Sequence, residues 1–358
     1  MMKYIITPIL TVASLPVYSA IDITDNFSIS GFGSTSWARS DNETPLLINR
    51  SISDENCFDC DTTFGVQLDY YRSDFKASVQ VVKRPQDDWS GPSLEWAYVG
   101  YAFDDIEVRA GRQRLPLFLA SEYFYVGQAY TTARPPAEVY SSLLGITAYN
   151  GASVSWNKTL NDEMQLVLTP FVGFNDNTSI RFNSSVELEF DTKNLWGLNA
   201  QLVGDYYRWN AAVLNGTYDV TSRVTITSPF VPQPFVVADT NEETVNQYTL
   251  GAEYEFGDLK ATFEFQKTES VRTDWYTMFA YRMAPFTPYV AYGQLYQDSE
   301  RSNASSTLGV RYDVLNNVSI NAEYQYFQIL NEGSGLFIED PEQDDSANLF
   351  TVMVSFVF

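Results

Sequence analysis

Phe64, Val66, Leu68 and Tyr70 alternate with Thr63, Gly65, Gln67 and Asp69, and this two-residue rhythm returns along most of the chain. Tyr248, Leu250, Ala252, Tyr254 and Phe256 alternate with Thr249, Gly251, Glu253 and Glu255. Val318, Ile320, Ala322, Tyr324 and Tyr326 alternate with Ser319, Asn321, Glu323 and Gln325. At the end, Phe350, Val352, Val354, Phe356 and Phe358 share one face, with Thr351, Met353 and Ser355 on the other. Successive side chains of a strand point to opposite faces, so a period of two is a strand signal and not a helical one. The pattern predicts strands at about 26–38, 62–71, 75–84, 93–103, 106–115, 145–156, 163–174 and 193–203, and again at about 206–215, 245–256, 258–267, 274–283, 286–297, 304–314, 317–328 and 347–358. Ten residues rising ~3.3 Å each and tilted ~40–45° cover roughly 23–25 Å, about the height of a membrane's apolar band.

The connectors carry a second regularity. Arg72-Ser73-Asp74, Asp104-Asp105, Gly204-Asp205, Gly257-Asp258 and Leu315-Asn316-Asn317 are short, and long ones fall between them near 39–61, 116–144, 175–192, 216–244 and 329–346. A soluble sandwich or propeller has no reason to sort its connectors by length. A barrel crossing an outer membrane has short turns at one end and long loops at the other. The expected fold is therefore all-β, a transmembrane antiparallel up-and-down β-barrel of about sixteen strands.

Composition agrees. Tyr (24), Phe (24) and Trp (7) make 15% of the chain, yet its mean hydropathy is −0.20. Soluble proteins hide such aromatics in a core, whereas a lipid-facing barrel carries them outside. The formal charge is −23, from 45 acids and 22 bases. Phosphate binding needs clustered Lys and Arg, so nucleic acid is excluded as a partner. The chain has no histidine, which removes imidazole-activated nucleophiles and imidazole ligation of metal or haem. No enzymatic activity, cofactor or metal site is expected, although carboxylate or lysine chemistry stays formally open.

Lys3, the apolar run Ile5 to Val17 and Tyr18-Ser19-Ala20 read as a secretory signal peptide over 1–20, with the barrel over 21–358. Cleavage after Ala20 puts Tyr18 at the third position back, and cleavage after Ser19 puts Val17 there, so the site is open by one residue. No other segment reaches the ~18 consecutive apolar residues of a membrane helix. Cys57 and Cys60 sit among Asp54, Glu55, Asp59 and Asp61, which raise rather than lower a thiol pKa. A disulfide in an exported loop is expected, in preference to redox chemistry or metal binding.

The ending Ser355-Phe356-Val357-Phe358 resembles the closing strand of Gram-negative outer-membrane porins, and the likeness covers the whole mature chain. In that family the terminal aromatics are read by the barrel assembly machinery, which makes Phe356 and Phe358 the implied assembly signal. Gly111-Arg112-Gln113-Arg114-Leu115-Pro116, followed by Arg134-Pro135-Pro136-Ala137-Glu138-Val139-Tyr140, is similar to a set of proteobacterial porin-like proteins. The resemblance implies that the third external loop, here 116–144, folds into the barrel and narrows the pore. It also implies a homotrimer in the bacterial outer membrane, against lipid and lipopolysaccharide, that passes small hydrophilic solutes and ions by passive diffusion.

The working parts of such a pore are charges in a narrow wet passage, where low-dielectric walls weaken screening. On the third loop the candidates are Glu122, Arg134 and Glu138. Arg134 and Glu138 either line the pore or pair with each other to anchor the loop, and one residue can do both. On the wall they are Arg109, Arg112 and Arg114. Strict alternation aims Arg112 and Arg114 at lipid, where a midplane Arg costs ~2–4 kcal/mol, unless a bulge at Gly111 shifts the phase. At least two of the three arginines are expected to face the lumen opposite loop acids. The alternative places Arg112 and Arg114 at the outer headgroup level.

Further lumen candidates are Asp69, Glu95, Glu253, Glu255, Lys260, Glu264, Arg311 and Glu323. Acids crowd the loops: Asp54, Glu55, Asp59, Asp87, Asp88, Glu187, Glu189, Glu242, Glu243, Asp344 and Asp345. A negative mouth concentrates cations and repels polyanions, and its carboxylates can hold divalent cations weakly. Mild cation selectivity is the expectation. The apolar, proline-rich stretch 227–237 is unusual for an external loop and has two readings, packing in the vestibule or against a neighbouring subunit.

Two other functions share the sequence. A substrate-specific channel for a sugar, carboxylate or other anion has the same fold, and Tyr123, Phe124, Tyr125, Tyr130 and Tyr140 leave an aromatic track open. A barrel hydrolase or adhesin fits less well, since such hydrolases pair Ser or Asp with His and adhesins use smaller barrels.

Overall fold

In the last strand Phe350, Val352 and Val354 are exposed, while Thr351, Met353 and Ser355 are buried. The computed structural model repeats this inversion around the molecule. Leu250, Phe279, Val290 and Leu308 lie open on the outside, and Gln266, Ser319, Asn321 and Asn210 are enclosed. An apolar exterior this extensive is stable only against lipid. The structure describes residues 20–48, 50–87, 91–143, 146–181, 186–226, 235–331, 334–341 and 344–358. Residues 1–19 of the expected signal peptide, Asp88 and residues 227–234 of the proline-rich stretch lie outside them. No helix among the described residues is long and apolar enough to cross a membrane.

Sixteen antiparallel strands close the barrel. They are β1 (Phe27–Ser40), β2 (Thr63–Arg72), β3 (Phe75–Lys83), β4 (Ser93–Phe103), β5 (Ile106–Arg114), β6 (Ala148–Asn161), β7 (Met164–Gly173) and β8 (Val186–Gly204). The second half comprises β9 (Tyr207–Ile226), β10 (Phe235–Phe256), β11 (Leu259–Thr268), β12 (Arg272–Tyr281), β13 (Phe286–Gln297), β14 (Glu300–Leu315), β15 (Val318–Ile329) and β16 (Ser346–Val357). Each strand pairs with its neighbours in sequence, and β1 closes the ring by pairing with both β2 and β16. At the seam the Phe358 N–H donates to the Gly31 carbonyl and the Gly31 N–H to the Phe358 carbonyl, both at 2.9 Å. Gly31 is required there: a Cβ would stand 2.3 Å from Cζ of Phe358, whose ring covers the glycine.

Aromatic side chains collect at the short-turn end. Tyr101 and Phe103 have ring centroids 4.6 Å apart, Tyr254 and Phe256 4.3 Å, and Phe286 and Tyr312 4.9 Å. Rings at this level form a girdle, with an apolar body toward the acyl chains and a polar edge toward water.

Two of the expected long loops are corrected. β8, β9 and β10 run for 19, 20 and 22 residues, so most of 175–192 and 216–244 is ladder. The separate strand Asp176–Arg181 pairs with Glu187–Thr192, and Thr217–Ile226 pairs with Phe235–Thr244. Past the membrane both faces of a strand are wet, so apolar alternation fades while pairing continues. Cross-strand polar pairs hold these extensions: Arg223 Nη2 to Glu189 at 2.5 Å, and Lys193 to Asp219 at 2.7 Å and Glu242 at 2.5 Å. The sorting of connectors is also less strict than expected. Only Glu269-Ser270-Val271 and Asp298-Ser299 separate β11 from β12 and β13 from β14 at the long-loop end.

At that end a hairpin of Leu46–Ile48 and Arg50–Ile52 meets the last loop, where Leu46 bridges to Phe337. Leu46, Ile52, Leu336, Phe337, Phe327 and Leu349 form a dry cluster against β15 and β16. Cys57 and Cys60 are joined by a disulfide beside it.

Candidate functional site

The connector between β5 and β6, residues 115–147, is short of apolar periodicity and rich in backbone groups that need partners. It folds into single turns at Ser121–Tyr123 and Gly127–Ala129 and a short helix at Ala137–Tyr140. Its own aromatics bind it together. Phe118 packs on Tyr140 at 5.0 Å, Phe124 stacks on Tyr140 at 5.8 Å, and Tyr123 meets Tyr130 at 5.7 Å.

Inward-facing side chains of the wall take up the connector's main chain one strand after another. Asn199 of β8 donates to the Pro116 carbonyl at 2.7 Å, and Asn210 of β9 to the Leu117 carbonyl at 2.8 Å. Glu264 of β11 accepts from the Leu119 N–H at 2.8 Å, and also from the hydroxyls of Tyr140 and Tyr276. Arg311 of β14 donates to the carbonyls of Gln128, at 3.0 Å, and Tyr130. In β15, Asn321 donates to the Thr131 carbonyl at 2.7 Å and Glu323 accepts from the Ala133 N–H at 3.1 Å. Arg272 of β12 donates to the Glu138 carbonyl at 2.6 Å.

The expected charges fall into distinct environments. Arg134 is buried and forms a two-pronged ion pair with Asp61, and its Nη1 donates to Thr351 Oγ1 at 3.0 Å. The anticipated pair of Arg134 with Glu138 is absent. Glu138 is buried and accepts from Ser305 Oγ, and burial pushes its carboxyl above the usual range. Glu122 is exposed.

On the wall, Arg109 pairs with Glu107 of its own strand at 2.7 Å and lies 5.2 Å over the Tyr98 ring. Arg114 is buried against Glu95 of β4 at 2.6 Å and lies 4.8 Å from the Tyr125 ring. Arg112 holds Asp176 at 2.6 Å. Only Arg114 is opposed purely by a wall acid: the Asp176 that Arg112 holds belongs to the expected external segment 175–192, and Arg109 also feels the charge of Glu122 on the connector. The bulge expected at Gly111 is also absent, because its register with Tyr98 and Gly151 is unbroken. Gly111 instead adopts φ +126°, where a Cβ would meet the Ala97 carbonyl at 2.3 Å. The register shift lies on the neighbouring strand at Glu95, between the Gln80–Trp96 and Val81–Leu94 pairs.

Of the remaining lumen candidates, Asp69 is buried and accepts from Gln67 at 2.6 Å. Lys260 pairs with Glu253 at 2.7 Å, Glu255 stands 3.7 Å from Arg282, and Arg311 pairs with Asp313 at 2.8 Å. Sequence reasoning missed Asp61, Arg272, Asn199 and Asn210, and also Arg208 of β9, whose Nη2 donates to the Tyr123 hydroxyl of the connector at 2.9 Å. Inward phase was the one available signal for the strand residues, and Asp61 had none. Among the described residues, Cys57, Asp59 and Cys60 have metal-ligand proximity, but both thiols are consumed in the disulfide.

A closed barrel with an apolar outside and a charged, hydrogen-bonded inside is an outer-membrane pore-forming protein by architecture. Residues 26–331 match the Gram-negative porin family, and the chain belongs to it. Among solved structures it is similar to an anion-selective porin of Comamonas acidovorans, with 13% identity, a TM-score of 0.59, and 93% of this chain and 99% of that one covered. The trimer form of in-vitro folded OmpT of Vibrio cholerae gives 14% identity and a TM-score of 0.57, over 93% of this chain and 100% of that one. Salmonella typhi OmpF in complex with daunomycin gives 11% identity and a TM-score of 0.57, over 94% and 100%. No curated protein matches the chain. Family and fold make it a channel of the outer membrane rather than an enzyme.

Proposed function

We propose that the protein lets small hydrophilic solutes and ions diffuse passively across the outer membrane, with a mild preference for cations. The observation that carries this reading is the set of bonds from β8 through β15 to the main chain of residues 116–138. In this reading the connector lies within the lumen, narrows it and leaves a wet passage beside Arg109, Glu107 and Glu122. Exposed Glu122, with the acids on the external strands, supports the cation preference. Arg109 is charge-compensated by Glu107 and opposes it little.

The working unit in this proposal is a homotrimer, supported by the trimer form of the Vibrio cholerae protein. The chain is exported by its N-terminal signal and recognised by the assembly machinery through Phe356 and Phe358. Purified protein in planar bilayers tests the function: stable conductance steps are expected, with a reversal potential of cationic sign in a potassium chloride gradient. Silent membranes would overturn the channel, and an anionic sign would overturn the preference.

A further inference from the structure

A cavity of about 250 Å³ opens at the short-turn end, between residues 128–131 and the inner face of β10 to β14. Its charges are divided around the wall, with the acids Glu255 and Asp258 at β10 and its turn, followed by the bases Lys260, Arg282 and Arg311. Their hydrogen-bonding capacity is only partly used. Arg282 and Glu255 stand 3.7 Å apart, beyond hydrogen-bond distance, and neither side chain makes a hydrogen bond among the described residues. Arg311 spends Nε on Asp313 and Nη1 on the connector's carbonyls, which leaves Nη2 toward the cavity. Lys260 is already neutralised by Glu253 at 2.7 Å.

We infer that this chamber is a binding site for small zwitterionic solutes, those carrying a carboxylate and an ammonium a few bonds apart, as in a free amino acid. The inference rests on the proposed diffusion function and names the solute class that the passage retains. A simple anion is drawn by Arg282 and Arg311 but repelled by Glu255 and Asp258, and a simple cation meets the reverse. A zwitterion satisfies both sets at once: its carboxylate accepts from Arg282 and Arg311, and its ammonium donates to Glu255 and Asp258. Charge-assisted bonds of this kind are stronger than neutral ones, so a sugar of similar size gains less.

The experiment is single-channel recording of the whole protein, first in plain salt and then with added glycine, glycolamide, acetate or methylammonium. Glycine is expected to reduce the open current saturably, at roughly ten-fold lower concentration than its neutral or singly charged analogues. In Glu255→Gln and Arg282→Gln variants the half-blocking concentration of glycine is expected to rise roughly ten-fold. Absence of conductance in plain salt would overturn the diffusion reading. A conducting channel that glycine and glycolamide affect alike, or that acetate alone blocks as well as glycine, would overturn the zwitterion site. Wild-type recordings decide this even if the variants do not fold.

Discussion

Arg134 and Asp61 lie 73 residues apart in sequence and meet through two parallel bonds, Nε to Oδ1 at 2.7 Å and Nη2 to Oδ2 at 2.5 Å. Both side chains are almost fully enclosed, with 5% and 1% exposure. Asp61 follows the disulfide-bonded Cys60 and precedes β2, so this pair ties the middle of the β5–β6 connector to the first external loop.

Arg134→Ala leaves a buried carboxylate without its counter-charge, which costs about 3–5 kcal/mol when a buried pair is broken. The connector is expected to loosen, with larger and noisier single-channel currents. Arg134→Lys keeps the charge but not the fork and is expected to fall between the two. Currents identical to wild type in Arg134→Ala would show that the pair does not fix the passage.

Glu122 and Arg109 make opposite predictions for selectivity. Glu122→Gln removes an exposed negative charge, so the reversal potential should move toward zero. Arg109→Gln releases Glu107 from its 2.7 Å partner and should move it further in the cationic direction. Salt-gradient recordings check both, and shifts of the same sign would contradict the assignment.

The exposed face of β16 gives a stability test. Val352 is 41% exposed at the middle of its strand. Val352→Arg is expected to destabilise the barrel by ~2–4 kcal/mol in lipid, the cost of an arginine at the midplane of a barrel wall. Denaturant unfolding in vesicles measures it. A neutral outcome would mean that this face does not meet acyl chains.

Glu138 predicts a pH dependence. Burial raises its carboxyl pKa above the usual value, so the protonated form fits its site better than the ion. Its contribution to holding the helix Ala137–Tyr140 is then fully present below the ordinary carboxylate pKa of about 4.3. It is lost as pH rises through the higher folded value. Current noise from connector motion should therefore be lower in acid than at neutral pH, and Glu138→Gln should flatten the difference. Noise that falls with rising pH would refute the sign.

The barrel was legible because lipid on one side and water on the other write a period of two into each crossing. Each of the sixteen expected strands has a counterpart within a few residues wherever that contrast holds, as in β2, β13 and β15. It failed for the upper parts of β8 to β10, where Thr221 faces Thr240 and Asp219 faces Glu242 with no apolar face to mark the strand. The site was half legible. Alternation gave the inward phase of Glu264 and Glu323, but not that they accept from the N–H groups of Leu119 and Ala133, 145 and 190 residues away. Arg114 meets Glu95 at the irregularity of the neighbouring strand, and a single-strand reading has no view of its neighbour.

The grip on the connector is directed largely at its peptide groups, mostly carbonyls, which every residue presents alike. Side chains that look into the passage can thus be exchanged with little penalty to the shell that carries them. One rigid frame is thereby free to acquire new solute preferences by drift at a handful of positions.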